Sequence, residues 1–426
     1  MRLLLVGGGG REHAILKKLK ENATVTEIYV LPGNGGMAED AVCVPIRATD
    51  VKTIAAFAKE KAVDYVVVAP DDPLCLGLVD LLQTEGIPAF GPDQKAAMIE
   101  GSKVFSKGLM KKYGIPTAVY EAFDNARAAK EYLSRCKYPV VIKADGLALG
   151  KGVLICQNNN EAEDAIHSIM EEKVFGLSGS QVVIEEFLTG PEVSVLCFTD
   201  GHTIKPMVSA MDHKRALDFD KGLNTGGMGA IAPNPYYSQA IAARCMDEIF
   251  LPTIEAMNRE GRTFRGCLFF GLMLTDHGPK VIEYNCRFGD PETQAVLPLL
   301  QSDLLTILQA TTNGTLQETE VLFSNQASCC VVLASGGYPK AYETGKEIKG
   351  IQAAEKAGAY CFHAGTKRME YGKIVTSGGR VLNITATADT LADAVQKAYR
   401  AAAQVSFEDM HLRHDIGAQA LNANNC

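Results

Sequence analysis

The chain has 426 residues, 47% of them hydrophobic and 22% charged, which is enough ordinary globular sequence for about two to four domains. With 42 basic against 50 acidic residues the net charge is −8, which argues against a basic surface for nucleic acid and leaves small anions to local Arg, Lys and helix N-termini. The 12 cysteines form no CxxC pair, which excludes a zinc or disulfide scaffold and points to the reduced cytoplasm, and no apolar run is long enough to span a membrane.

Residues 1–101 alternate short apolar runs with helical patterns. Arg2–Val6, Ile28–Leu31 and Val63–Ala69 predict uninterrupted strands of a parallel sheet covered on both faces, an N-terminal α/β substrate-binding domain. Ligands of such sheets bind outside the carboxyl ends of the strands. There lie Gly7 to Gly10, Pro32-Gly33-Asn34 and Pro70-Asp71-Asp72-Pro73. The first loop enters a helix near Arg11 and can offer backbone N–H groups to a phosphate. It is not a dinucleotide fingerprint, because the third glycine of GxGxxG would fall on Glu12 or His13 and no acidic residue ends the second strand. A purely structural glycine turn is the alternative.

From Glu100 the texture changes. Gly101-Ser102-Lys103 precedes a helix that runs to about Lys112, and a compact α+β lobe follows over about 118–190. In it Pro139–Lys143 predicts a strand that delivers Lys143 at its end. Next comes Ala144–Gly152, with Gly146, Gly150, Gly152 and Lys151, read as a flap whose backbone approaches phosphates; a plain hairpin turn is the alternative. Gln181–Glu186 predicts a strand ending in Glu185, Glu186, Phe187 and Leu188, with Glu192 beyond. These acidic ends and the apolar pair between them could line a purine slot. Asp212-His213-Lys214-Arg215 and Asn224 to Gly229 predict a long loop without apolar periodicity, uncommon unless functional. A helix over 239–259 and strands Cys267–Thr275 and Lys280–Asn285 close this unit, 102–326. A last α+β unit, 327–426, ends in a helix from about Leu391 to Val405 with an apolar face.

The strand Val281–Asn285 carries the most chemistry. Residues two apart share a face, so Glu283 and Asn285 project together and offer hard oxygen ligands suited to Mg²⁺. Arg287 just beyond can neutralise a phosphoryl oxygen or a carboxylate. An edge strand with two solvated polar residues is the bland alternative.

A lysine-ending strand, a Gly/Lys flap, an acidic hinge and a Glu-x-Asn strand, in that order, resemble the ATP-grasp superfamily. GGREH at Gly9–His13, PGN at Pro32–Asn34, EGSK at Glu100–Lys103 and IKADGLALGKGV at Ile142–Val153 narrow the resemblance. So do DHKR at Asp212–Arg215, NTGGMGA at Asn224–Ala230, EYNCRFGDPETQ at Glu283–Gln294 and FHAGT at Phe362–Thr366. Together they resemble the phosphoribosylamine–glycine ligase family, collinear over essentially the whole chain, which ends where a single-function member would. The resemblance implies a two-lobed ATP-grasp domain between the other two, and a cytoplasmic enzyme of de novo purine synthesis that joins glycine to 5-phosphoribosylamine with ATP and Mg²⁺ or Mn²⁺. It puts Lys103, Lys143 and the Gly146, Gly150, Lys151, Gly152 flap at the ATP phosphates. It puts Glu186 and Leu188 at adenine with Glu185 nearby, Glu192 at the ribose, and Glu283 and Asn285 at the metal. Arg287, Asp212 and Lys214 become catalytic. The sugar phosphate falls to Gly9, Gly10, Arg11 and Asn34, with Asp71 near the ribose, and glycine to the region of Asn224, Gly226, Gly227, Gly229 and Asp290. The chain departs from the family pattern at Asp71-Asp72, Leu149 and Gly8. Another ATP-grasp carboxylate–amine ligase and a non-catalytic nucleotide-binding protein are the competing readings.

Overall fold

The computed structural model describes residues 1–147 and 152–423. The first sheet is β1 (Arg2–Gly7), β2 (Glu27–Pro32), β3 (Val42–Cys43), β4 (Tyr65–Val68) and β5 (Ala89–Phe90), all parallel in the order β3-β2-β1-β4-β5. Its central strand is apolar throughout because both faces are covered: Leu3 and Leu5 enter one core, Leu4 and Val6 another. The carboxyl ends of β1 and β2 therefore open together, as the sequence predicts.

The inserted lobe is an antiparallel sheet of β6 (Tyr120–Phe123), β7 (Val140–Ala144), β8 (Val153–Cys156) and β9 (Val182–Glu186), ordered β6-β9-β7-β8. Two helices, Ala126–Leu133 and Asn159–Ile166, bury Ala129, Leu133, Ala162 and Ile166 against it. The glycine-rich segment joins β7 to β8, so the flap is the connection of a hairpin.

Next come β10 (Glu192–Thr199), β11 (Ile204–Pro206) and four short strands, β12 (Met211–Asp212), β13 (Arg215–Leu217), β14 (Lys221–Asn224) and β15 (Gly229–Ala232), before β16 (Gly266–Thr275) and β17 (Gly278–Asn285). The segment predicted as a structureless loop is thus a small hairpin, β13-β14, flanked by two strands. Runs of two to four residues are too short for alternation to show in the sequence. The helix predicted over 239–259 is also interrupted, by a π turn at Met246–Phe250 between Gln239–Cys245 and Leu251–Arg259. Pro252 supplies no amide hydrogen and crowds the carbonyl four residues back, which favours the wider turn before it.

The order β11-β10-β16-β17 makes a second antiparallel sheet. Pairing shifts between Gly271 and Leu272: Glu283 lies opposite Gly271 and Val281 opposite Leu272, leaving Ile282 as an extra residue in β17. A Cβ on Gly271 would stand 3.0 Å from Glu283 Cγ, so glycine there makes room for the carboxylate stem.

The C-terminal sheet contains β18 (Ala327–Ser335), β19 (Tyr360–His363), β22 (Arg380–Ala388) and β23 (Met410–His411); β20 (Thr366–Arg368) and β21 (Ile374–Thr376) form a separate hairpin. β12 and β15 extend this sheet in the order β12-β15-β18-β22-β19, so it spans the expected boundary near 327. The helix Leu391–Ala402, three residues shorter than predicted, covers it with Ala394, Ala398, Ala401 and Ala402. Of the predicted face Leu391, Val395, Ala398, Tyr399, Ala402 and Val405, Leu391, Val395 and Tyr399 are only partly buried. Among the described residues no helix is long and apolar enough to cross a membrane.

Three buried histidines stitch the units. His363 N–H donates to His13 Nδ1 at 2.8 Å, joining β19 to the helix Gly10–Leu19. Gly417 N–H donates to His213 Nε2 at 3.1 Å, which leaves Nδ1–H for the Gly229 carbonyl at 3.3 Å. Burial, with Arg413 adding to it, pushes His213 down to about 4. Burial takes His363 down to about 4 as well, and burial and His363 hold His13 well below the ordinary range. Each is neutral when folded and protonates near pH 6.5 when unfolded, so this stability is complete above about pH 6.5 and is lost as pH falls towards 4. Unfolding curves of His213→Gln between pH 7 and 4 should fall less steeply than the parent's, by about one proton. Parallel curves would contradict the assignment.

Candidate functional site

Lys143, one residue before the end of β7, is 4% exposed. Its Nζ donates to the Ile282 carbonyl at 3.0 Å and lies 3.1 Å from Glu185 Oε2. The extra residue of the β17 bulge thus presents its carbonyl to this lysine. Lys107 meets the same Glu185 oxygen at 3.0 Å. Lys103 Nζ donates to the Gly146 carbonyl at 3.1 Å, at the root of the flap. Glu185 Oε1 is buried without a hydrogen-bond partner among the described residues.

Glu283 is the electrostatic centre. Burial alone would raise its pKa, yet Lys214, Lys143, Lys103 and Arg287 together hold the carboxyl below its usual range. Lys214 Nζ lies 3.6 Å from Glu283 Oε1 and 2.9 Å from Glu192 Oε2, with 35% of its side chain still open to solvent. Burial disfavours its charge, but Glu192, Glu283 and Asp212 outweigh burial and raise it. Asn285 Nδ2 donates to the Tyr284 carbonyl at 2.7 Å, which leaves its Oδ1 as the oxygen able to face a cation beside Glu283. No group of three or more His, Cys, Asp or Glu able to hold a metal occurs among the described residues. A cation here would need phosphate oxygens to complete its shell, the pattern that suits Mg²⁺.

Arg287 is tied from behind. Its Nη2 lies 3.1 Å from Glu100 Oε1, while Glu100 Oε2 accepts the Cys286 amide at 2.7 Å. Burial opposes its charge, and Glu100 and Asp71 more than restore it. Asp71 sits at the start of the helix Asp71–Cys75; burial raises its carboxyl, and Arg287 and Arg11 bring it below the usual range. Asp212 goes the other way. Burial and the neighbouring Glu292 push its pKa well up, Lys214 and Arg380 offset this only in part, and its Oδ1 has no hydrogen-bond partner among the described residues.

Beside this centre a pocket of about 470 Å³ opens where the first sheet meets the C-terminal sheet. Gly8, Gly9, Gly33 and Asn34 line it from one side, Gly365, Thr366, Ser377 and Arg380 from the other, with Asp290 between. Arg380 spans the gap: Nη2 lies 3.1 Å from Asp290 Oδ2, and Nη1 donates to the Gly226 carbonyl at 2.7 Å and the Asp290 carbonyl at 3.0 Å. Burial raises the Asp290 pKa, but Arg380 and Arg11 hold the carboxyl below its usual range. Gly227 has φ +111°, and a Cβ there would fall 2.3 Å from Pro291 Cδ and 2.6 Å from Asp212 Oδ1, so only glycine fits.

The structure therefore gathers Lys103, Lys143, Glu185, Glu192, Lys214, Glu283, Asn285 and Arg287 about one centre, and places Gly9, Asn34, Asp290, Gly226 and Gly227 at or beside the adjoining pocket. Several expected contacts are redirected. Gly10 is closed off by packing, since a Cβ would meet Asn383 Nδ2 at 2.2 Å, and Gly229 faces the Cys330 carbonyl inside its sheet. Arg11 turns its guanidinium onto Glu12 at 2.6 Å and the Phe288 carbonyl at 3.1 Å. The Asn34 amide is fully used: it donates to the Gly8 and His363 carbonyls and accepts the Gly36 and Met37 amides, so it shapes the pocket wall. The Glu186 amide is spent on the Val119 carbonyl, while Leu188 follows β9 half-buried. Asn224 ends β14, Gly146 packs on Ser178, and Gly152 is buried at the foot of β8. Gly150 and Lys151 lie outside the described residues.

Sequence reasoning missed Lys107, Glu100, Glu292, Ser377 and Arg380 as site groups. Lys107 carried a signal, being one helical turn from Lys103 and so on the same face. Arg380 carried none nearby, because its partners are 90 and 154 residues away.

Comparisons with known proteins show the family. Three family profiles match in order: phosphoribosylglycinamide synthetase N domain over residues 1–100, ATP-grasp (A) domain over 101–293 and C domain over 328–419. The chain is 46% identical over 418 residues to a phosphoribosylamine–glycine ligase of Caldanaerobacter subterraneus subsp. tengcongensis, covering 98% of this chain and 100% of that one. The crystal structure of the phosphoribosylamine–glycine ligase of Thermotoga maritima superposes with a TM-score of 0.86 at 36% identity, over 98% of this chain and 100% of that one. A biotin carboxylase domain from Hydrogenobacter thermophilus shares the fold alone, with a TM-score of 0.73 at 16% identity over 96% and 91%. The chain belongs to the phosphoribosylglycinamide synthetase family.

Proposed function

We propose that this protein joins glycine to 5-phosphoribosylamine at the expense of ATP, forming glycinamide ribonucleotide, ADP and phosphate in purine biosynthesis through glycyl phosphate. The observation that carries the reading is Glu283 facing four cations from four separate segments, Lys103, Lys143, Lys214 and Arg287. Besides Glu283, each of Lys143, Lys214 and Arg287 has a carboxylate of its own, Glu185, Glu192 and Glu100, and can turn to an incoming anion. A triphosphate there would use them, because phosphoryl transfer is catalysed mainly by positioning and charge neutralisation.

In this reading 1–101, 102–326 and 327–426 divide the work. Lys143 and Lys103 hold the phosphates under the flap, Glu185 Oε1 accepts from the adenine amino group, and Glu192 meets the ribose. Glu283 and Asn285 Oδ1 would hold Mg²⁺ or Mn²⁺, which would screen the phosphate charges. Arg287, braced by Glu100, stabilises the phosphoryl group in transit. The glycine carboxylate, set near Lys214 and Asp212, attacks the γ-phosphorus and ADP leaves. The sugar phosphate occupies the pocket of Gly9, Ser377 and Arg380, which brings the amine to the acyl carbon. The ionised form of Asp212, favoured by Lys214 and made more basic by burial and Glu292, takes the amine proton, and its buried Oδ1 has no hydrogen-bond partner among the described residues. Phosphate leaves with one former carboxylate oxygen.

The direct test is a coupled assay for ADP release that requires both glycine and 5-phosphoribosylamine; release that depends on neither would end the proposal. Lys143→Met should fold, since the residue sits at a strand end, and should lower turnover at fixed ATP by roughly tenfold to a hundredfold, the worth of one charge-assisted contact of about 1.5–3 kcal/mol. Activity within twofold of the parent contradicts the role. Glu283→Gln should shift the Mg²⁺ dependence of the rate to higher concentration and weaken turnover far more than it lowers the melting temperature. An unaltered Mg²⁺ titration would show Glu283 to be a bystander.

A further inference from the structure

Two buried lysines converge on one carboxylate oxygen. Lys107 Nζ lies 3.0 Å and Lys143 Nζ 3.1 Å from Glu185 Oε2, and the three side chains are only 2%, 4% and 4% exposed. Their other partners differ in kind. Lys107 also donates to Thr117 Oγ1 at 2.7 Å, that hydroxyl donates to the Val281 carbonyl at 2.7 Å, and the ammonium stands 5.8 Å from the centre of the Tyr120 ring. Every one of these groups belongs to the frame. Lys143 instead reaches the Ile282 carbonyl, next to Glu283 and the cationic centre.

We propose that Lys107 is a positioning residue, the standing counter-ion of Glu185 that lets Lys143 pass from Glu185 to a nucleotide phosphate without stranding a bare buried carboxylate. The proposal rests on the assignment of Lys143 to the ATP phosphates. Without nucleotide, two ammoniums share one carboxylate and leave a positive excess that favours an incoming anion. With nucleotide, Lys143 turns to the phosphate and a one-to-one Lys107–Glu185 pair remains. If Lys107 were neutral, the same transfer would leave a buried charge unpaired, which is strongly unfavourable. Burial lowers the Lys107 pKa to about 8, and Glu185 keeps it from falling further, so it is an ammonium at neutral pH. The helix Lys103–Tyr113 would thus deliver one lysine to the ligand and, a turn later, another to the support.

The test is a double-mutant cycle of Lys107→Met and Glu185→Gln, read by calorimetric binding of a non-hydrolysable ATP analogue and by KM for ATP against kcat. With Glu185 present, K107M should weaken analogue binding and raise KM by at least about tenfold. In the E185Q background, where no carboxylate needs a partner, K107M should change binding by less than about threefold. Equal losses in both backgrounds would mean that Lys107 only packs, and a loss under twofold with Glu185 present would mean that it is dispensable; either overturns the proposal. If K107M alone does not fold, K107M/E185Q, which buries no unpaired charge, must fold and bind within about threefold of E185Q, and failure to do so also overturns it. A parent that binds no analogue would instead refute the ATP assignment, and this proposal with it.

Discussion

Four cations crowd about Glu283, and much of the molecule is arranged to keep them there. Like charges in a partly desolvated site repel, so each cation needs its own anchor on a rigid element. Lys143 is braced by Glu185, Lys214 by Glu192, Arg287 by Glu100, and Lys103 by the Gly146 carbonyl. The anchors come from β9 and the turn after β7 in the inserted lobe, β10 of the second sheet and the helix Gln94–Gly101. The β17 bulge is the common reference, since it supplies both Glu283 and the Ile282 carbonyl that Lys143 grips. Cations held ready in this way can be shared with an incoming polyanion, and the anchoring carboxylates balance them until it arrives.

The second constraint is that the adjoining pocket has no single owner. Its glycine loops leave the carboxyl ends of β1 and β2, its far wall comes from the strands and turns around Thr366 and Arg380, and Arg380 ties both to the Gly226 and Asp290 carbonyls. Because β12 and β15 belong to the same sheet as β18, the residues between them, Lys214 and Gly226–Gly227 among them, are tethered at both ends to that sheet. In the proposed reaction a substrate resting in the pocket would lie beside the cations around Glu283, so the two half-reactions could share an intermediate without releasing it. Water exclusion matters for such an intermediate, because a mixed anhydride hydrolyses readily.

Much of this was legible in the sequence for physical reasons. β1, β2 and β4 announce themselves because buried parallel strands must be apolar on both faces, and Lys143 stands out as a charge near the end of the apolar strand β7 of the antiparallel lobe. Glu283 and Asn285 share a face by strand periodicity alone. What failed to show depended on partners distant in the chain. The bulge at Ile282 is a property of the pairing with β16, and β12 and β15 are strands only because β18 offers a template. Arg11 and Asn34 look like ligand groups by type, yet Glu12, Phe288, Gly8 and His363 consume their hydrogen bonds, and no local pattern encodes that. Arg380 follows two glycines and reads as a loop residue until its far partners are in place.

The central claim is that the cationic centre makes an acyl phosphate which the neighbouring amine then consumes. It is tested most directly by following oxygen. Glycine carrying ¹⁸O in both carboxylate oxygens should, in each turnover with ATP and 5-phosphoribosylamine, pass one labelled oxygen to inorganic phosphate and keep the other in the product amide, with ADP and no AMP released. Mass spectrometry of the phosphate decides the matter. Unlabelled phosphate alongside normal amide formation would contradict the account.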